Sequence, residues 1–115
     1  MIRKSDECKQ EVRVAMRGGD GQVEITNFMD KEEFKGTGRL FANLSIKPGC
    51  GIGYHIHDAD TEIFYIKNGT ALYSDNGTEK TVTAGDVTIT PKGTGHSIKN
   101  ISDETVDVIA LIINA

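Results

Sequence analysis

The sequence predicts an all-β chain, closed as a barrel or as a double-sheet jelly roll. Three observations predict it. Short runs of alternating apolar and polar residues recur along the chain. Turn signals punctuate them, with 13 glycines against 2 prolines in 115 residues. Helical periodicity is almost absent, which argues against alternating strand–helix units and for many short strands.

In chain order, residues 1–20 have no clear period. Residues 9–16 read as a strand or an extended arm, and Gly18-Gly19-Asp20-Gly21 as a loop. Residues 23–28 alternate as a strand does. Residues 30–34 read as one helical turn with Asp30 at its N-cap. Residues 39–47 place Leu40, Ala42, Leu44 and Ile46 on one face and Phe41, Asn43 and Ser45 on the other. Pro48-Gly49 turns the chain into a short strand at 54–57, a turn at 58–60 and a strand at 61–67. Asn68-Gly69 and Asp75-Asn76-Gly77 are hairpin signals around a strand at 70–74. Strands at 80–83 and 86–90 follow, then a loop at 91–95, a strand at 96–100 and a last strand at 104–113. Residues 108–113 are apolar on both faces, so this strand is either central in a covered sheet or buried by a partner chain.

The length fits one domain with a real core. Its expected parts are an N-terminal arm or strand over 1–22 and the barrel over 23–115. A net charge of −4 and a pI near 5.3 give nothing to attract nucleic acid or an anionic membrane. The charged start is not a secretory leader, and no apolar run approaches a membrane span. Cys8 and Cys50 have neither disulfide-framework nor zinc spacing, so a cytoplasmic protein with free thiols is expected.

Chemistry concentrates in residues 49–69 and 85–100. His55 and His57, two apart on a strand, share a face. Glu62 shares its strand face with Phe64 and Ile66, where a carboxylate is costly to bury unless it is paired or bound to a metal. His96 lies in a second glycine-rich stretch. Taken singly each is ordinary: a surface His pair, a solvated Glu, a loop-capping His. Together, two imidazoles and a carboxylate form a recognised divalent-metal set, with His96 a fourth ligand. Asp58 and Asp60 read as turn residues, Cys50 as a packed small residue, and Tyr65 as facing away. Phe64, Ile66 and Phe41 are expected to line the pocket.

These stretches resemble the cupin family. Gly49, five residues, His55-x-His57, four residues, Glu62, six residues, Gly69 matches the first cupin motif. Gly85, five residues, Pro91-x-Gly93, two residues, His96, three residues, Asn100 matches the second. The resemblance implies a small single-domain double-stranded β-helix, with one divalent transition metal (Mn, Fe, Ni, Co or Zn) held by His55, His57, Glu62 and His96. Two open cis positions would remain for a small carboxylate, diol or keto acid.

The chain looks most like short cupins related to oxalate decarboxylases. Those enzymes carry an Arg three residues before the first His of the pair, where this chain has Ile52. Oxalate decarboxylation is therefore disfavoured, and Glu104 is the one weak candidate for a lid carboxylate. The expected function is a metal-dependent enzyme on a small oxygenated molecule: a carboxylate, a sugar derivative or a keto-enol compound. Decarboxylase, isomerase and dioxygenase chemistry stay open, with a non-catalytic binding or sensor module as the alternative. The catalytic residues are unassigned. Ile56, Ile63 and Tyr65 form an expected apolar outer set, which with the apolar last strand suggests a homodimer.

Overall fold

A computed structural model describes residues 1–114. Among them are ten strands, three short 3₁₀ turns and no α-helix. Among the described residues no helix is long and apolar enough to cross a membrane. The strands are β1 (Lys9–Val14), β2 (Gln22–Asn27), β3 (Gly38–Ile46), β4 (Gly51–Ile56), β5 (Asp60–Asn68), β6 (Thr70–Asp75), β7 (Thr78–Thr83), β8 (Val87–Thr90), β9 (Gly95–Lys99) and β10 (Val106–Asn114).

They form a six-stranded sheet ordered β1-β2-β3-β10-β5-β8 and a four-stranded sheet ordered β4-β9-β6-β7. The core lies between them. Ile25, Leu44, Ile46, Phe64, Ile66 and Val108 come from the larger sheet, Ile52, Tyr73 and Ile98 from the smaller. Each such side chain contributes about 1.5–3 kcal/mol by leaving water.

Local chemistry explains the elements that matter for the site. On β3, Ala42, Leu44 and Ile46 are buried while Phe41, Asn43 and Ser45 lie on the half-exposed face, as the alternation predicts. β10 is central, paired with β3 and β5, which explains an apolar sequence on both of its faces. β1 is exposed along its whole length and pairs only with β2, so residues 9–14 carry no burial pattern. The turn Lys31–Phe34 follows Asp30, whose N–H donates to Glu33 Oε1 at 2.8 Å. Arg3 reaches the same carboxylate at 2.8 and 3.1 Å, tying the chain start to the sheet.

Two of the boundaries that differ from expectation bear on the site. β5 begins at Asp60, so Asp60 is a strand residue and not part of a turn. β4 begins at Gly51, and its register against β9 shifts between Ile52 and His55. That irregularity turns both residues inward, Ile52 opposite Ile98 and His55 opposite His96. The loop of residues 15–21 lies along the outer edge of β4, with Gly51 N–H donating to Asp20 O at 3.0 Å. Only glycine permits that approach. A side chain at Gly53 would strike the Arg17 carbonyl, and one at Gly19 would come 2.7 Å from Gly53 N.

The expected outer set of Ile56, Ile63 and Tyr65 is split. Ile56 lies on β4 in the smaller sheet, Ile63 and Tyr65 on β5 in the larger. The contiguous apolar surface is instead on the larger sheet. Ile89, Ile63, Leu111 and Phe41 line up across four strands, with Val87, Tyr65 and Ile109 beside them.

Candidate metal centre

Three strands and one strand end converge on a single point. His55, next to last in β4, faces His96 on β9. His57 follows β4, its backbone held by Thr94 O at 3.0 Å and by Gly93 N–H at 2.6 Å, so the Gly93 turn fixes its position. Glu62 comes from the inner face of β5, behind which Phe64 packs with its ring 5.0 Å from that of His96. One ligand atom from each of His55, His57, Glu62 and His96 lies within 4.8 Å of the others. His57, Glu62 and His96 are buried and His55 half-buried.

The hydrogen bonds around the rings define what this cluster can hold. His55 Nδ1 lies 2.8 Å from Gly53 O, an acceptor only, so that nitrogen carries the proton. His57 Nδ1 donates to Asp60 Oδ1 at 2.6 Å. His96 Nδ1 meets the Tyr73 and Thr90 hydroxyls at 2.7 and 3.0 Å, with 2.9 Å between the two hydroxyls. With Nδ1 donating in His55 and His57, their neutral rings turn Nε2 lone pairs inward, and His96 turns its own Nε2 to the same point. His57 and His55 Nε2 each lie 3.2 Å from His96 Nε2. Glu62 Oε1 adds negative charge 3.0 Å from His57 Nε2 and 2.9 Å from His96 Nε2.

Lone pairs and a carboxylate facing one another repel unless a proton or a cation sits among them. A divalent ion about 2.1 Å from two ligands at right angles separates them by about 3.0 Å. The residues present therefore fit a transition-metal ion, and the Nδ1 partners are of the kind that orient metal-bound imidazoles.

Electrostatics of the protein without an ion agree. The hydrogen bond to Glu62 raises the pKa of His57 above the ordinary imidazole value; burial opposes it and Asp60 reinforces it. Burial lowers that of His55. Burial pushes Glu62 up, but hydrogen bonds from His57 and His96 outweigh it and leave its pKa below the usual carboxylate value. Asp60 follows the same pattern, with burial opposed by Arg39 and His57.

Above the cluster opens a cavity of about 80 Å³, lined by His55, His57, Glu62, Ile52, Met16, Leu40, Ile112, Arg13, Arg17 and Arg39. A larger groove of about 290 Å³ runs along the outside of the smaller sheet past Gly51, Ser74, Ser97 and Lys99. Among the described residues no His–carboxylate cluster converges there, so the smaller cavity is the candidate site.

Its walls revise several expectations. Three arginines line the approach and make it cationic. Ile52 belongs to it, while Tyr54 is exposed on the other side of the strand. Phe41 and Ile66 do not line it: Phe41 packs edge-on against Phe28 at 5.1 Å, and Ile66 is in the core. Phe64 sits behind His96 rather than in the cavity wall. Glu104 is not in the lining either; its carbonyl accepts from the Asn100 amide. Asn100 also donates to Ile46 O at 2.8 Å and accepts from Ser102, a structural role. Tyr65 faces outward as expected, and Cys50 packs against the core.

Sequence reasoning missed Asp60, Arg13 and Arg17. Asp60 Oδ2 accepts from Arg39 Nε at 2.7 Å while Oδ1 holds His57, which links rim to floor. A carboxylate three residues after a ligand-type His was the available signal. Arg13 and Arg17 had none, because only the pairing of β1 with β2 and the docking of residues 15–21 on β4 bring them here.

The fold and this donor set define a class: small antiparallel barrels with a His–carboxylate cluster at one end that could hold a metal ion. The chain belongs to the cupin-domain family, whose model matches residues 43–112. It is 38% identical over 113 residues to an oxalate-binding protein of Thermotoga maritima, covering 98% of this chain and 93% of that one. A crystal structure from Thermotoga maritima, described as a predicted oxalate decarboxylase, superimposes with a TM-score of 0.94 at 37% identity and full coverage of both chains. An oxalate decarboxylase of Arthroderma benhamiae is 30% identical over 97 residues, 79% of this chain but 22% of that protein.

Proposed function

We propose that this chain binds a small dicarboxylate of the oxalate type at one divalent transition-metal ion held by His55, His57, Glu62 and His96. The carrying observation is the cavity itself: a metal-type donor set at its floor and arginines in its walls. A bound metal supplies open coordination positions to carboxylate oxygens. The protein's residues do the rest. Asp60, Gly53 O and the Tyr73–Thr90 pair orient the three rings, and the arginines favour an anion.

Size supports the reading. A cavity of about 80 Å³ has room for a ligand of a few heavy atoms. The oxalate-binding relative points to the same ligand class. Binding is favoured over decarboxylation because Glu62, a member of the donor set, is the one carboxylate in the lining among the described residues. A decarboxylase needs a further group to deliver a proton.

Elemental analysis together with calorimetry tests this. One ion per chain, oxalate binding only by the metal-loaded protein, and no formate release are expected. Metal-free protein binding oxalate equally well, or steady formate production, contradicts it.

The reading includes a homodimer. The apolar rows on the outer face of the larger sheet, with Ile89, Val87 and Tyr65 well exposed, need a cover, and a second copy supplies one. Light scattering on a sizing column should give twice the chain mass, and I89K should give the monomer mass. A wild-type monomer at micromolar concentration overturns the dimer.

A further inference from the structure

The cavity's three arginines are not equivalent. Arg39 is spent on Asp60, at 2.7 Å. Arg13 pairs with Glu11 at 3.2 Å. Arg17 enters no ion pair among the described residues, although it lines the same cavity as His55, His57 and Glu62.

Its backbone is also unusual. Ala15 and Arg17 have φ of 52° and 54°, a left-handed conformation that side-chain-bearing residues seldom adopt. The surroundings enforce it. Ala15 N–H donates to Gly21 O at 2.8 Å, Gly18 N–H to Ala15 O at 2.9 Å and Gly19 N–H to Met16 O at 2.9 Å. Gly19 and Gly53 let this loop press on the very strand that bears His55. Strain held in place beside a cavity marks a device that positions something.

Resting on the carboxylate-binding reading above, we infer that Arg17, held over the metal centre by the loop of residues 15–21, reads the second negative charge of a dianionic ligand, the task for which position 52 carries only an isoleucine. Charge balance supports it. A divalent ion beside Glu62 leaves one net positive charge at the floor. The Arg39–Asp60 and Arg13–Glu11 pairs cancel internally, and Arg17 adds a second positive charge. The site thus matches a dianion better than a monoanion that chelates in the same way.

R17Q removes the charge from an exposed side chain without altering the loop's backbone requirement. Calorimetry on manganese-loaded and metal-free protein, with oxalate and with glycolate, tests the inference; K47Q, a distant surface change, controls for net charge. In manganese-loaded R17Q, oxalate affinity should fall roughly 10- to 100-fold, the worth of a charge-assisted contact. Glycolate and manganese affinities should hardly move, and K47Q should behave as wild type. Oxalate binding that needs manganese but is equal in wild type and R17Q overturns the inference and leaves the metal-centred reading standing. Oxalate binding that needs Arg17 but not manganese upholds the inference and overturns that reading. No oxalate binding in either form overturns both, and equal loss of oxalate and glycolate in R17Q overturns the charge-reading role.

Discussion

At the floor of the cavity, His57 and His96 are 3% and 1% exposed, and every ring nitrogen is committed to a named partner or to the central point. At its rim, Arg13 and Arg17 stand exposed on an edge strand and a turn. The floor is rigid because three strands and their hydrogen bonds over-determine it. The rim is placed by two contacts at the molecule's edge, the pairing of β1 with β2 for Arg13 and the loop of residues 15–21 against β4 for Arg17. Floors of this kind fix whether an ion binds. Rims of this kind fix which ligand joins it, and they can change without disturbing the barrel.

The comparison breaks most sharply at the floor. His57→Ala or Glu62→Gln should abolish stoichiometric metal uptake and, with it, anion binding. Dialysis and elemental analysis check the first, calorimetry the second. Both variants should also lose the rise in melting temperature that added metal gives wild type, since a ligand that binds only the folded state stabilises it by mass action. Retained stoichiometry in both would remove these residues from the donor set.

Asp60 joins the two regions, so Asp60→Asn should affect both. Loss of a partner that orients a ligating imidazole weakens metal binding by roughly 10- to 100-fold. Arg39 would also lose its ion pair at 2.7 Å. A chelator competition measures the first effect; an unchanged metal affinity would reduce Asp60 to a surface-pairing residue.

Acid separates floor from rim. Protons and metal compete for imidazole nitrogen, and Glu62 raises the His57 pKa above its ordinary value. Metal affinity should therefore fall as the pH drops through the imidazole range, while the arginines keep their charge throughout. Metal affinity that does not change from about pH 8 to about pH 5.5 would be inconsistent with three imidazole ligands. The smallest effect belongs to Arg13, already engaged by Glu11. Arg13→Gln should weaken oxalate binding less than R17Q does, and the reverse order would move the charge-reading role to β1.

The same division governs what could be read from the chain. The floor is legible because barrel strands put residues two apart on one face and because tight turns demand glycine. His55, His57, Glu62 and His96 therefore announce themselves by spacing. Asn100 likewise reads as structural. The irregularity between Ile52 and His55 leaves one sign in the sequence, Gly53, which a bulge and a close backbone approach would explain equally well. Asp60 reads as a turn residue because Asp58-Ala59-Asp60 resembles one, and only its pairing with Asn114 across β10 and its contacts to His57 and Arg39 reveal its role. Arg13 and Arg17 belong to a stretch without periodicity, and their position follows from tertiary docking alone. Ile52 leaves its own strand without a charge at the cavity, while Arg13, Arg17 and Arg39 bring charge to it from elsewhere in the chain.

Water-proton relaxation on manganese-loaded protein, followed during an oxalate titration, addresses the central claim most directly. A metal centre with open positions enhances relaxation through its exchanging waters. Oxalate taking those positions should quench the enhancement at one equivalent per chain, and His57→Ala, which removes one of the four donors, should show no protein-bound enhancement to quench. Bound manganese whose relaxation signal ignores oxalate would contradict the account.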